Sequence, residues 1–198
     1  MTFPLLVIFA YFLGAVPFGL LFGRLFADID VRDFGSKNIG ATNVNRVLGR
    51  KLGALTLVAD VLKGVLPTLM AIFLLPDSLQ PVWVGVAAFV GHIFPVYLRF
   101  HGGKGVATAF GVILTVSFWS GLIGLLVWVL VVRISRVSAL GALVASATIP
   151  ITSFFLDNDW RLSLILLGMM ILVIYRHKEN IDRLRSGKEH GITNTQES

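Results

Sequence analysis

Apolar runs long enough to cross a bilayer, and nearly free of charge, constrain this chain more than anything else in it. They lie near residues 3–26, 52–75, 82–98, 105–132, 137–156 and 161–175. A helix needs about 20 such residues to span a hydrocarbon core. Within that core every backbone N–H and C=O must be paired inside the protein, so lone segments of this kind have to be helices. The chain is 14% charged, where a soluble domain carries about 25%. The expected fold is an all-α integral membrane protein with no soluble domain and no internal repeat.

Charge settles how many times the chain crosses. The 105–132 run would rise about 42 Å as one helix, against a hydrocarbon core about 30 Å thick. One tilted span would fit, and so would two short ones broken near Ser117-Phe118-Trp119-Ser120-Gly121. With two, all of the 17 Lys and Arg fall on one side except Arg161 and the intramembrane Lys63. The positive-inside rule favours that arrangement. It predicts seven transmembrane helices, with the N-terminus outside and the C-terminus in the cytoplasm. The first run has no basic residue before Arg24 and is too long for a cleavable signal, so it is expected to stay in the membrane. The expected organisation is a single membrane-embedded domain, 1–188, followed by a polar tail, 189–198.

Basic cytoplasmic loops account for the net charge of +6, so no nucleic-acid partner is expected. The absence of cysteine excludes disulfides, thiol nucleophiles and thiolate metal sites. No carboxylate cluster suggests a metal, and neither a metal nor a cofactor is expected.

Three short polar runs break the apolar pattern, and the topology puts all of them on the cytoplasmic face. The first is Gly35-Ser36-Lys37-Asn38-Ile39-Gly40-Ala41-Thr42-Asn43-Val44-Asn45-Arg46. It follows Asp28–Phe34, whose alternation suits an interfacial strand or an amphipathic turn. Gly35 and Gly40 can take backbone angles closed to other residues. Asn38, Asn43 and Asn45 offer neutral donors and acceptors, and Arg46 a planar fork for phosphate.

The second run is Phe100-His101-Gly102-Gly103-Lys104-Gly105-Val106-Ala107-Thr108, directly before an apolar helix. Backbone N–H groups of a glycine-rich turn and a helix N-terminus make an anion cradle, to which Lys104 adds a full charge. The spacing is not that of a nucleotide P-loop, and Val106 stands where a magnesium-ligating hydroxyl would be. Phosphate binding without ATP hydrolysis is the expectation.

The third is His177-Lys178-Glu179-Asn180, where a helix leaves the membrane. His177 and Asn180, at i and i+3, would share a helical face as an acid–base or phosphate-orienting pair. Inside the second apolar run, Asp60 and Lys63 can pair along the helix, either supporting the site from below or marking an ion path. His92 either lines the same cavity or hydrogen-bonds another helix.

At these residues the chain resembles the bacterial acyl-phosphate:glycerol-3-phosphate acyltransferase (PlsY) family, over essentially its whole length. The family's S-x-N-x-G-x-x-N-x-x-R falls on Ser36, Asn38, Gly40, Asn43 and Arg46. Its G-G-K-G-x-A-T falls on Gly102, Gly103, Lys104, Gly105, Ala107 and Thr108. Its His-x-x-Asn falls on His177 and Asn180, and its trailing R-L-x-x-G-x-E on Arg183, Leu184, Gly187 and Glu189. Lys37 stands at a variable place often filled by glycine, and His101 at another variable place.

The resemblance implies transfer of a fatty acyl group from acyl phosphate to the 1-hydroxyl of glycerol 3-phosphate. The products would be lysophosphatidic acid and phosphate, at the start of phospholipid synthesis. It implies a multi-pass protein of the bacterial inner membrane whose partners are the two substrates, membrane lipids and the enzyme that makes acyl phosphate. The candidate catalytic residues are His177, Ser36, Lys104 and Asn180. Candidate substrate and phosphate contacts are Arg46, Asn38, Asn43, Gly40, Gly102, Gly103, Gly105, Thr108 and Ser138. Direct attack by the acceptor hydroxyl and an acyl-Ser36 intermediate both remain open here, as does which motif holds which phosphate. The competing reading is a small transporter of a phosphorylated solute, which would place its polar site near the midplane.

Overall fold

In this computed structural model residues 1–76, 79–189 and 191 are described. Most of the 189–198 tail, and residues 77 and 78 of the 76–81 connection, lie outside them. The described residues form ten α-helices and no strand. In order these are α1 (Thr2–Ala15), α2 (Phe18–Ala27), α3 (Ala41–Leu48), α4 (Arg50–Leu74) and α5 (Gln80–Ile93). A 3₁₀ turn at Val96–Leu98 leads to α6 (Val106–Val116), α7 (Phe118–Ser135), α8 (Ser138–Leu156), α9 (Trp160–Arg176) and α10 (Lys178–Arg185).

Four helical segments are long and apolar enough to cross a membrane alone: Arg50–Leu74, Gln80–Leu98, Phe118–Ser135 and Ser138–Leu156. Two bent pairs, α1 with α2 at 41° and α9 with α10 at 58°, raise the number to six if each is one span. α6 is a shorter apolar helix. The first break falls at Val16-Pro17, where proline has no N–H for the helix ladder. The 105–132 run breaks at Ser117 into α6 and α7, as its length and the charge pattern led us to expect. The first polar run is not the plain loop its composition suggested. Its second half, Ala41–Leu48, is the helix α3. The alternating segment before it is a series of turns and bends rather than a strand.

Large apolar side chains such as Phe73, Ile134 and Phe155 are exposed, while Asp60, Lys63 and His92 are buried. That inside-out distribution suits lipid as the surrounding solvent.

The chain divides into two compact units, Met1–Val112 and a second that begins at Ile113. In the first, Leu6 and Ala10 of α1 meet Ala71 of α4 and Val84 and Ala88 of α5. A methyl group on Gly14 would overlap the backbone of Ala88, so a small residue there lets α1 and α5 touch. A second buried cluster joins Leu20 of α2 to Val31, Ile39 and Val44, with Leu98 of the 3₁₀ turn packed on it. It seats the first polar run on α2 and brings the approach to the second run against it.

In the second unit Gly141 of α8 packs on Trp128 and Val132 of α7. Ser163 Oγ donates to Ser153 Oγ at 3.2 Å between α9 and α8. Ser117 Oγ, at the helix break, donates to Asp157 Oδ2 at 2.6 Å.

Candidate active site

The first run is organised by one side chain. Asn43, buried on the first turn of α3, accepts the Ser36 N–H at 2.8 Å through Oδ1. Its Nδ2 donates to the carbonyls of Val31 at 2.9 Å and Phe34 at 3.2 Å. Both ends of the amide thus meet backbone. It clips the loop and sets the place of Ser36. Asn38 Oδ1 accepts the Gly40 N–H at 2.9 Å, an Asx turn at the start of α3.

Gly40 has φ −78°, so the glycine is not there for unusual backbone angles, as the sequence suggested. The left-handed residues are Gly35 and, unexpectedly, Lys37 at φ 55°. That conformation suits glycine best. Arg46, half-buried, follows on α3.

Upstream, Asp30 receives Arg32 through Nε at 2.8 Å and Nη2 at 2.6 Å, and Arg24 Nη2 at 3.1 Å. The Arg32 guanidinium holds the Asp30 carboxyl well below the usual carboxylate range, and the carboxylate raises Arg32 in return.

The second run folds back on the end of α5. Gly102 N–H donates to the Ile93 carbonyl and Gly103 N–H to the His92 carbonyl, both at 3.1 Å. These two amides, expected to cradle an anion, are therefore spent on the helix they follow. Lys104, half-buried, follows them, and Gly105 enters α6 at φ 83° with its Cα against the Phe89 ring. Thr108 is fully buried on α6, its backbone carbonyl pressed against Gly64 of α4. Among the runs' residues it lies inside the packing rather than at the loop.

The third run belongs to the second unit. His177 is not inside a helix but at the bend between α9 and α10, and it is buried. Its Nδ1 lies 2.8 Å from the Val173 carbonyl oxygen. A carbonyl only accepts, so Nδ1 carries the proton and Nε2 carries the lone pair in the neutral ring. This is the arrangement of a base whose orientation is fixed by backbone.

Asn180, also buried, donates from Nδ2 to Glu189 Oε1 at 2.8 Å, and Arg183 Nε donates to Glu189 Oε2 at 2.8 Å. Gly187, at φ 68°, closes α10 with Gly187 N–H to Leu184 O and Lys188 N–H to Arg183 O. This Schellman turn reverses the chain and returns Glu189 to the helix. Glu189 was not among the expected site residues, although the trailing R-L-x-x-G-x-E pattern contains it. Ser138, half-buried, is the first residue of α8 in this unit.

The family model described as glycerol-3-phosphate acyltransferase matches residues 4–187. This chain belongs to that family. It is 47% identical to the glycerol-3-phosphate acyltransferase of Trichlorobacter lovleyi, covering 91% of this chain and 92% of the relative. With that of Syntrophotalea carbinolica it shares 46% identity, over 96% of this chain and 97% of the other. Among solved structures it is similar to PlsY, an integral membrane glycerol 3-phosphate acyltransferase, in its glycerol 3-phosphate form. The TM-score is 0.92 at 40% identity, with 96% of each chain covered. A lysophosphatidic acid form of PlsY matches with a TM-score of 0.89 at 38% identity, covering 96% of this chain and 95% of that one. This member of the glycerol-3-phosphate acyltransferase family is therefore an all-helical integral membrane protein. Its first unit carries the Ser36–Arg46 and Gly102–Thr108 runs, and its second carries His177, Asn180 and Ser138.

Proposed function

We propose that the chain transfers a fatty acyl group from acyl phosphate to the 1-hydroxyl of glycerol 3-phosphate, giving lysophosphatidic acid and inorganic phosphate. The observation that carries this reading is the likeness to PlsY in two liganded forms, one with the acceptor and one with the acylated product. The acyl-phosphate donor rests on the three motifs and the family they resemble. Two anionic substrates need surplus positive charge, and Arg46 on α3 and Lys104 just before α6 are half-buried cations.

Lys104 with the start of α6 holds the phosphate of glycerol 3-phosphate, and Arg46 with Ser36 and Asn38 holds that of the donor. The acceptor oxygen attacks the acyl carbonyl carbon, the bond from that carbon to the phosphate oxygen breaks, and phosphate departs. His177 Nε2 or a substrate phosphate oxygen takes the hydroxyl proton, with Asn180 orienting the substrate. Ser138 adds a weaker phosphate contact.

The setting is the bacterial cytoplasmic membrane, crossed seven times by one domain, 1–188. The N-terminus lies outside and the site faces the cytoplasm. The basic residues favour that orientation, and the break of the 105–132 run at Ser117 supports two passages there. The partners are the two substrates, membrane lipids and an acyl-phosphate-producing enzyme.

Purified protein supplied with glycerol 3-phosphate and either palmitoyl phosphate or palmitoyl-CoA tests this. Lysophosphatidic acid and released phosphate are expected from palmitoyl phosphate alone. Folded protein silent with both donors would sink the enzyme reading and turn attention to solute flux.

A further inference from the structure

Three titratable side chains of the first unit are buried and unused by the reaction just described: Asp60 and Lys63 on α4, and His92 near the end of α5. Lys63 Nζ lies 2.9 Å from Asp60 Oδ1. It also donates at 3.0 Å to the carbonyl of Val16, the residue at which α1 breaks before α2. The ammonium stands 5.7 Å from the centre of the Phe18 ring, within cation–π range. Asp60 Oδ1 in turn faces His92 Nδ1 at 3.7 Å. The far edge of that imidazole abuts the second motif, for a methyl group on Gly103 would overlap His92 Nε2. The contacts run without a gap from the foot of α2, through α4, to the glycine loop.

Both ends of this chain of contacts meet a substrate motif. At one end α2 seats the first motif through Leu20, Ile39 and Val44. At the other, His92 underlies Gly103, the neighbour of Lys104. Packing does not account for the charges, because an apolar pair would fill the same volume without losing hydration. Ionisable groups kept at such depth are typically functional.

We propose that Lys63, Asp60 and His92 are positioning residues forming a strut that holds the Gly102–Gly105 loop, and Lys104 within it, preformed for glycerol 3-phosphate. This rests on the acyltransferase reading above. A loop held in its binding conformation beforehand spends less free energy on ordering when the anion arrives. Loss of the strut should therefore weaken one substrate and spare the other.

His92→Gln and the double variant Asp60→Asn/Lys63→Met test this in purified protein. KM should be measured for each substrate beside the melting midpoint. For His92→Gln the expected result is a KM for glycerol 3-phosphate raised about tenfold, with the acyl-phosphate KM within about twofold. The double variant, which removes both buried charges together, should keep the raised glycerol 3-phosphate KM while melting near the parent protein. An unchanged glycerol 3-phosphate KM overturns the proposal, as does a parallel rise in both KM values. So does loss of folded protein in both variants, which would make the three residues stability elements only. Turnover by the parent protein in the same assay separates the two readings: a silent parent sinks the reaction, an active parent with unmoved variants sinks the strut alone.

Discussion

His92 and His177 occupy matching places in different surroundings. Each is buried at the end of an apolar helix where the chain turns into a polar motif. They differ in what Nδ1 meets and what lies beyond Nε2. At His177 a backbone carbonyl fixes the proton on Nδ1, which puts the lone pair of the neutral ring on Nε2. At His92 a carboxylate already paired with Lys63 faces Nδ1, and Gly103 covers Nε2. The first environment suits the proton acceptor proposed above, the second the proposed prop. Residue type and helix position do not distinguish them; neighbours brought in by the fold do.

The largest expected effect would break this comparison outright if it failed. His177→Ala should lower kcat by about 10²–10⁴, the span of a lost general base, with the melting midpoint little changed. His92→Gln should keep most of its turnover at saturating glycerol 3-phosphate. Equal losses of kcat in the two variants would mean that the histidines share one role.

The next effect is on stability rather than rate. Asp60→Asn leaves the Lys63 charge buried without its ion pair and should cost about 3–5 kcal/mol, seen as a lower melting midpoint in detergent. His177→Ala should show no such loss, which sharpens the contrast between prop and catalyst. A smaller effect belongs to the clip in the first motif. Asn43→Ala leaves the Ser36 amide and two carbonyls without their partner and should cost about 2 kcal/mol. It should also raise proteolysis between Val31 and Ser36, while Asn45→Ala should leave that segment as it is.

The smallest effect lies at the surface, where ion pairs are worth at most about 1 kcal/mol. Asp30 is held below its ordinary range by Arg32 and Arg24, so its contribution is present above the unfolded value of about 3.9 and fades as pH falls below it. The melting difference between parent and Asp30→Asn should therefore be small and flat from pH 8 to pH 5 and close in stronger acid. A dependence near neutrality would assign the effect to another group.

Much of the candidate site was legible because its residue types are out of place among apolar runs. Ser36, Arg46, Lys104 and His177 stand out by polarity alone, and the break at Ser117 followed from helix length and charge. Less legible were residues whose role is to hold others. Asn43 reads as a ligand, and the sequence does not show that both ends of its amide meet backbone. Gly102 and Gly103 read as anion donors until their N–H groups are found on Ile93 and His92. α3 was missed because its polar residues lack an apolar run, and a neighbouring helix supplies the packing that stabilises it: Gly53 of α4 admits Asn45 at close range.

By itself the sequence determined the solvent, the fold class and the chemistry on offer. Bilayer thickness and the demand for paired backbone leave only helices, and the polar runs bring together residue types that suit anions. Tertiary structure decided which donors are spent within the protein and which remain. It also decided that Lys63, Asp60 and His92, scattered over two helices, form one line of contact. Hydrogen-bond partners and close approaches depend on residues far apart in the chain, and local pattern carries no record of them.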